Sequence, residues 1–299
     1  LMKRVPNSLR GMFYGNWGTL LTTAVYTGKE HDWCKWAMYP RAILWTLERG
    51  GHRFSKRIRF ADIVRKRMTR WTNDRENLWK EVVKRSSRPA PAQDAKKEDS
   101  KETAQRIEKA ALAALSVGDV RKALQQLKNT PIAPKGDATY KKLQDLHPGG
   151  NNPAPIPRVG NKELYQAPHF KVDVVRSALS SFGPGSAAGL LGYKPYLLQQ
   201  GMRSESAFEG AVTSAVNHLA AGKAPKFLKR ILAGGVSIAL QKNETAIRPL
   251  ACGDPLRRLV GKCFCVVARE EISKNFEGRN FGVGCKGGVE VAPTPSAML

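Results

Sequence analysis

The sequence predicts an α+β fold that is mainly helical, and three observations carry that expectation. Apolar residues recur at three- and four-residue spacing in several segments, one stretch alone alternates with period two, and Pro/Gly-rich breaks punctuate the chain. With 299 residues, 41% hydrophobic and 25% charged, the chain is long enough for about two domains, and its composition excludes wholesale disorder.

The first segment is basic. Residues 1–88 carry 20 basic and 7 acidic side chains, out of a net charge of +25 for the whole chain. The density peaks over residues 53–70, where Arg53, Lys56, Arg57, Arg59, Arg65, Lys66, Arg67 and Arg70 face a lone Asp62. Phe54, Ile58, Phe60, Ile63, Val64 and Met68 interleave with them and Trp71 follows, so the stretch reads as a helix. It is either a solvated face or a grip on phosphate; the charge density favours phosphate. Residues 89–103 lack large apolar side chains and contain Pro89 and Pro91, the composition of a disordered linker.

Residues 104–147 read as a helical hairpin. Ile107, Ala111, Ala114 and Leu115 share one stripe, Gly118 breaks it, and Asp119 caps a second helix through Val120, Ala123, Leu124 and Leu127. Residues 148–160, rich in Pro, Gly and Asn, form a loop. Beyond it, Val172, Val175, Ala178 and Leu179 predict a helix, and residues 182–195 a glycine-rich turn. The turn lacks the Gly-Lys-Ser/Thr ending of a phosphate loop, and its glycine spacing misses the dinucleotide fingerprint. Phe208, Ala211, Val212, Ala215, Val216 and Leu219 mark the next helix, which Gly222 and Pro225 end. Val236, Ile238 and Leu240 alternate with Ser237 and Ala239, and Ile247-Arg248-Pro249-Leu250 returns, giving a β-hairpin expected to pair symmetrically about Thr245. Asp254 caps and Pro255 opens a last helix with Leu256, Leu259, Val260, Cys263, Phe264 and Val267 inward.

Several classes are excluded or disfavoured. No apolar run approaches the ~20 residues of a membrane span, so no integral membrane association is expected. The five cysteines are odd in number and form no CxxC pair, and the five histidines are scattered. Neither a disulfide framework nor a metal site is expected, and the compartment is read as reducing and intracellular, the nucleus among the candidates. The N-terminal residues show no signal-peptide pattern, and a chain opening on Leu1 reads as cut from something longer.

The order of motifs carries a resemblance. Gly189 and Gly192 in the glycine segment, then Ile247-Arg248-Pro249-Leu250, then Phe281-Gly282 with Lys286 and Gly287 resemble, in type and sequence, segments of the fingers region of non-LTR retrotransposon reverse transcriptases. In that family the first glycine segment carries an aspartate where Leu191 stands here. The resemblance covers roughly residues 105–299 and implies a polymerase fingers-like subdomain over 161–299, following the basic helical N-terminal region. It also implies template-directed DNA synthesis from dNTPs with Mg²⁺ in the complete enzyme, whose catalytic aspartates and Tyr-x-Asp-Asp box this chain lacks; the chain reads as truncated before the palm. No cofactor is therefore expected in this chain, which should bind RNA or DNA and, by itself, not polymerise.

The expected nucleotide-binding pair is Lys242 and Arg248, set opposite each other across the hairpin; the family resemblance points to the same residues, because its fingers hairpin contacts the incoming nucleotide. Arg258 and Lys262 join the basic stretch as candidate nucleic-acid contacts. Two rivals stand beside this reading. One is a non-enzymatic basic RNA-binding protein, organellar or ribosome-associated; the other is a peripheral membrane-surface protein using residues 53–70.

Overall fold

A computed structural model describes residues 5–45, 60–86, 132–134, 136–147, 167–183, 185–243 and 245–276, with scattered helical residues between 105 and 124. It is mainly helical with one two-stranded antiparallel hairpin. The helices are α1 (Arg10–Thr27), α2 (Glu30–Leu44), α3 (Phe60–Asn73), α4 (Arg75–Ser86), α5 (Asp137–Leu146), α6 (Val172–Ser180), α7 (Pro195–Ser204), α8 (Ser206–Ala220) and α9 (Lys226–Ala233). Strands β1 (Gly235–Gln241) and β2 (Ile247–Gly253) follow, then α10 (Pro255–Val267) and α11 (Arg269–Phe276). The chain divides into two compact units, residues 1–78 with 159–235 and 253–299, and residues 79–158 with 236–252. Across the composition breaks at 89–103 and 148–160, α1 packs against both α7 and α8, and α2 packs on α1.

That shared core in the first unit is aromatic. α1 has one charged residue, at its first position, and turns Phe13, Tyr14, Trp17 and Leu21 inward along successive turns. Trp17 stacks on Trp36 of α2, with centroids 6.1 Å apart and planes 11° from parallel, and meets Tyr193 edge-on at 5.5 Å. Phe208 of α8 lies 5.1 Å from both Tyr14 and Trp17. Such pairs each add about 0.5–1.5 kcal/mol beyond area burial. The closeness needs glycine at Gly201, where a Cβ would sit 2.4 Å from Phe208 Cε1 and 2.7 Å from Tyr14 Cδ1.

Pro40 lies inside α2 and has no N–H to give the Trp36 carbonyl four residues earlier. The Trp17 indole Nε1 donates to that carbonyl at 3.2 Å, so α1 supplies the bond that proline removes. The Tyr14 hydroxyl lies 3.0 Å from both the Leu197 carbonyl and Gln200 Oε1, and Gln200 Oε1 also accepts from Val5 N at 3.1 Å. Burial pushes the Tyr14 and Tyr193 phenols far above their ordinary value, which keeps both neutral donors.

α6, α8 and α10 bury the expected stripes in large part: Val175, Ala178 and Leu179; Phe208, Ala211, Val212, Ala215 and Val216; Leu256, Leu259 and Cys263. Phe264 and Val267, expected inward, are 39% and 53% exposed, because the buried stripe of α10 ends at Cys263. Asp254 caps α10 as expected, its Oδ1 accepting from Leu256 N at 2.9 Å.

In the second unit, Lys242 N donates to Ala246 O at 2.9 Å, and the strand limits match the same register, which sets Leu240 opposite Arg248 and Ala239 opposite Pro249. Asn243 shifts the centre of the turn from the expected Thr245 to position 244. Its Oδ1 accepts from Thr245 N at 3.1 Å and Ala246 N at 2.7 Å, closing a tighter loop. On its other side β1 bridges to Ile132, with Ala133 N donating to Ala239 O at 2.9 Å.

A Trp17→Phe variant should lose about 1–3 kcal/mol of stability, because the Trp36 carbonyl stays buried without a donor. In a Pro40→Ala background, where residue 40 regains its N–H, the same change should lose less by about 1 kcal/mol, read as the coupling term of a denaturation cycle.

Candidate nucleic-acid interface

The basic stretch expected to grip phosphate is only partly a free surface. Arg53, Lys56, Arg57 and Arg59 lie outside the described residues. Of the rest, Arg67 is a correction: it is 9% exposed and donates through Nη1 to the carbonyls of Ile43, at 3.1 Å, and Trp45. Its guanidinium stands 5.6 Å from the Trp45 ring centre. The reason is helical phase: Val64, Arg67, Met68 and Trp71 form the buried stripe of α3, so Arg67 caps the end of α2 from inside. Arg65 pairs with Asp62 at 3.0 Å and Arg70 with Asp74 at 3.3 Å, both within one helical turn. Lys66 is exposed.

Arg258 and Lys262 are likewise occupied. Both stand over the Phe182 ring, at 5.3 and 4.9 Å from its centre, one helical turn apart on α10. Arg258 Nη2 donates to the Ala187 carbonyl, and Lys262 Nζ to Ser181 Oγ at 2.8 Å. Together they fasten the start of the glycine segment onto α10.

The same segment is held at its far end by close backbone approach. A Cβ on Gly189 would lie 2.4 Å from Asp254 Cα and 2.6 Å from Asp254 N. Gly192 donates its amide to Gly189 O at 3.0 Å and takes φ +81°, a left-handed conformation that favours glycine. Asp254 is fully buried between these groups, and its Oδ1 also receives the Tyr193 hydroxyl at 3.2 Å. Burial raises the Asp254 carboxyl above its ordinary value, while the Leu256 amide, Tyr193, the Leu191 amide and Arg258 offset part of the rise. The segment is a structural turn and not a phosphate cradle.

On the hairpin, Lys242 and Arg248 are both exposed, and neither forms an ion pair with a described residue. The observed register does not set them directly opposite. They share one face of the ladder as diagonal neighbours, since 242 pairs with 246 and 240 with 248. α5 adds a cation that the sequence reading missed: Lys142 Nζ donates to Thr245 O at 2.6 Å at the turn. A second omission lies on α9, where Lys226, Lys229 and Arg230 are exposed just after exposed Lys223. The legible signal was the lack of any acidic residue between Glu209 and Glu244.

Among the described residues no three His, Cys, Asp or Glu side chains converge, and no step is assigned to the magnesium that the resemblance implies. Glu270 and Glu271 are exposed on α11. Phe281, Gly282, Lys286 and Gly287 lie outside the described residues. Among the described residues no helix is long and apolar enough to cross a membrane.

Gly189→Ala should destabilise the protein by at least about 2 kcal/mol, since its Cβ meets backbone that cannot swing aside. Gly185→Ala, with nothing within 4 Å of its Cβ, should stay within about 0.5 kcal/mol; urea midpoints separate the two. Asp254→Asn keeps the acceptor without the buried charge. Because the native carboxyl titrates above its unfolded value, the parent loses stability as pH rises through that raised pKa. The Asn variant should therefore gain on the parent as pH rises above the ordinary carboxylate range, and thermal melts below and above that range check the sign.

The chain matches no family model, no curated protein and no solved structure.

Proposed function

We propose that this chain is a nucleic-acid-binding, fingers-like part of a retroelement reverse transcriptase, whose hairpin contacts the triphosphate of an incoming nucleotide. The observation that carries the reading is the pair Lys242 and Arg248, exposed on one face of the hairpin and in no ion pair with a described residue. Two cations a diagonal apart on a ladder repel each other, and a polyphosphate between them removes that repulsion. The net charge of +25 supports a polyanionic partner, RNA or DNA, independently of the hairpin. The order of glycine segment, Arg-Pro hairpin and capped helix supports the polymerase lineage. Gly189 pressed onto the Asp254 backbone gives the first and last of these a physical reason to occur together. The parent activity is RNA-directed DNA synthesis; in this chain the proposal assigns binding alone.

Photo-crosslinking with 8-azido-dATP tests the triphosphate contact, because it captures weak complexes. Label should fall on the peptide spanning 242–248 and drop several-fold in Lys242→Gln/Arg248→Gln. Label spread over the chain and unchanged by that double substitution would favour the rival, a basic RNA-binding protein without a nucleotide site.

A further inference from the structure

An uncompensated cluster of charge lies on α9, whereas the arginine-rich α3 pairs Arg65 and Arg70 with carboxylates. Lys226, Lys229 and Arg230 occupy one exposed face of an eight-residue helix, and exposed Lys223 precedes it. None of the four forms an ion pair with a described residue, and no acidic residue occurs between Glu209 and Glu244. This placement opposes the local physics of the helix. Cations at positions 226, 229 and 230 are neighbours one turn apart and repel, and Lys226 sits at the positive end of the helix dipole, where carboxylates are favoured. The other end of α9 follows the rule: Arg257 Nη1 donates to the Ala233 carbonyl at 2.9 Å. A surface that breaks the local rule at one end only, with four positive side chains, fits a ligand that brings the missing negative charge.

We infer that the exposed face of α9, with Lys223, is a phosphate-backbone contact surface for single-stranded nucleic acid, read without sequence preference. It rests on the reading of the chain as nucleic-acid binding and names the surface responsible. A lipid headgroup surface would meet the same charges, but a membrane-lying helix must also offer its apolar side. The apolar side of α9 is already committed, with Leu228 fully buried and Leu232 7% exposed. α3 is the weaker candidate, because Arg67 is internal and Arg65 and Arg70 face carboxylates.

The test uses the whole chain and a fluorescein-labelled oligothymidylate of about 20 nucleotides, with anisotropy measured from about 50 to 200 mM salt. Lys226→Gln/Lys229→Gln/Arg230→Gln should flatten the log–log salt slope by about two, at ~0.7 per lost phosphate contact on a single strand. Arg65→Gln/Lys66→Gln/Arg70→Gln removes as many charges from α3 and should change the slope by less than half as much. If the triple α9 variant does not fold by circular dichroism, Lys223→Gln/Lys226→Gln carries the same test with a drop of about one to one and a half. Parent binding with a slope unchanged by the α9 substitutions would overturn the surface and leave nucleic-acid binding intact. A parent that binds no oligothymidylate would overturn both. Parent binding to phosphatidylcholine–phosphatidylserine vesicles in place of the oligonucleotide, lost in the α9 variant, would reassign the face to lipid.

Discussion

The first unit depends on one hydrogen bond made between side chain and backbone, from the Trp17 indole to the Trp36 carbonyl. Proline at position 40 would ordinarily leave that carbonyl stranded in an apolar interior. The donor that rescues it comes from a ring already stacked on Trp36, so one residue supplies both the dispersion contact and the missing bond. The proline therefore ties the packing of α2 to the rotation of α1. Any phase of α1 that turned Trp17 outward would leave a buried carbonyl unsatisfied as well as an aromatic void.

From that pairing the remaining helices take their places. α1 offers Phe13, Tyr14 and Trp17 on one side, and Phe208 of α8 enters against them because Gly18 and Gly201 leave room: a Cβ on Gly18 would already stand 3.3 Å from Phe208 Cα. The N-terminal helices are in this way an inner layer of the unit that carries the glycine segment and the capped helix α10.

What could be read in the sequence was periodicity, and what could not was phase against a partner. The stripe of α8, the Asp254–Pro255 start of α10 and the hairpin all follow from local pattern, and each is present. α1 was illegible because nearly uncharged helices show no contrast between their two sides, however well one of them is buried. Arg67 was misread although its spacing from Val64 and Trp71 placed it on the inward stripe; charge type outweighed position. Arg258 and Lys262 look like free cations on a helix until Phe182, far off in the chain, is seen beneath them. The hairpin register moved because the Asn243 side chain, acting as a surrogate carbonyl, closes the loop earlier than symmetry about Thr245 would have it. The α9 cations needed the opposite kind of attention, to residues that are missing: acids.

Pro249 has a consequence for how this chain behaves in company. In the observed register residue 249 makes no bond to β1, so its nitrogen faces the outer side of β2, at the middle of the strand. The proline thus removes nothing from the hairpin and withholds a donor from any extended peptide trying to dock alongside. The opposite margin of the sheet is taken by Ile132 and Ala133. A small sheet with apolar Val236 and Leu250 at its surface would otherwise be an invitation to cross-strand polymerisation. Here one border is bridged by the chain itself at Ala239 and Leu240 and the other lacks a donor at its centre, two features that work against edge-to-edge pairing.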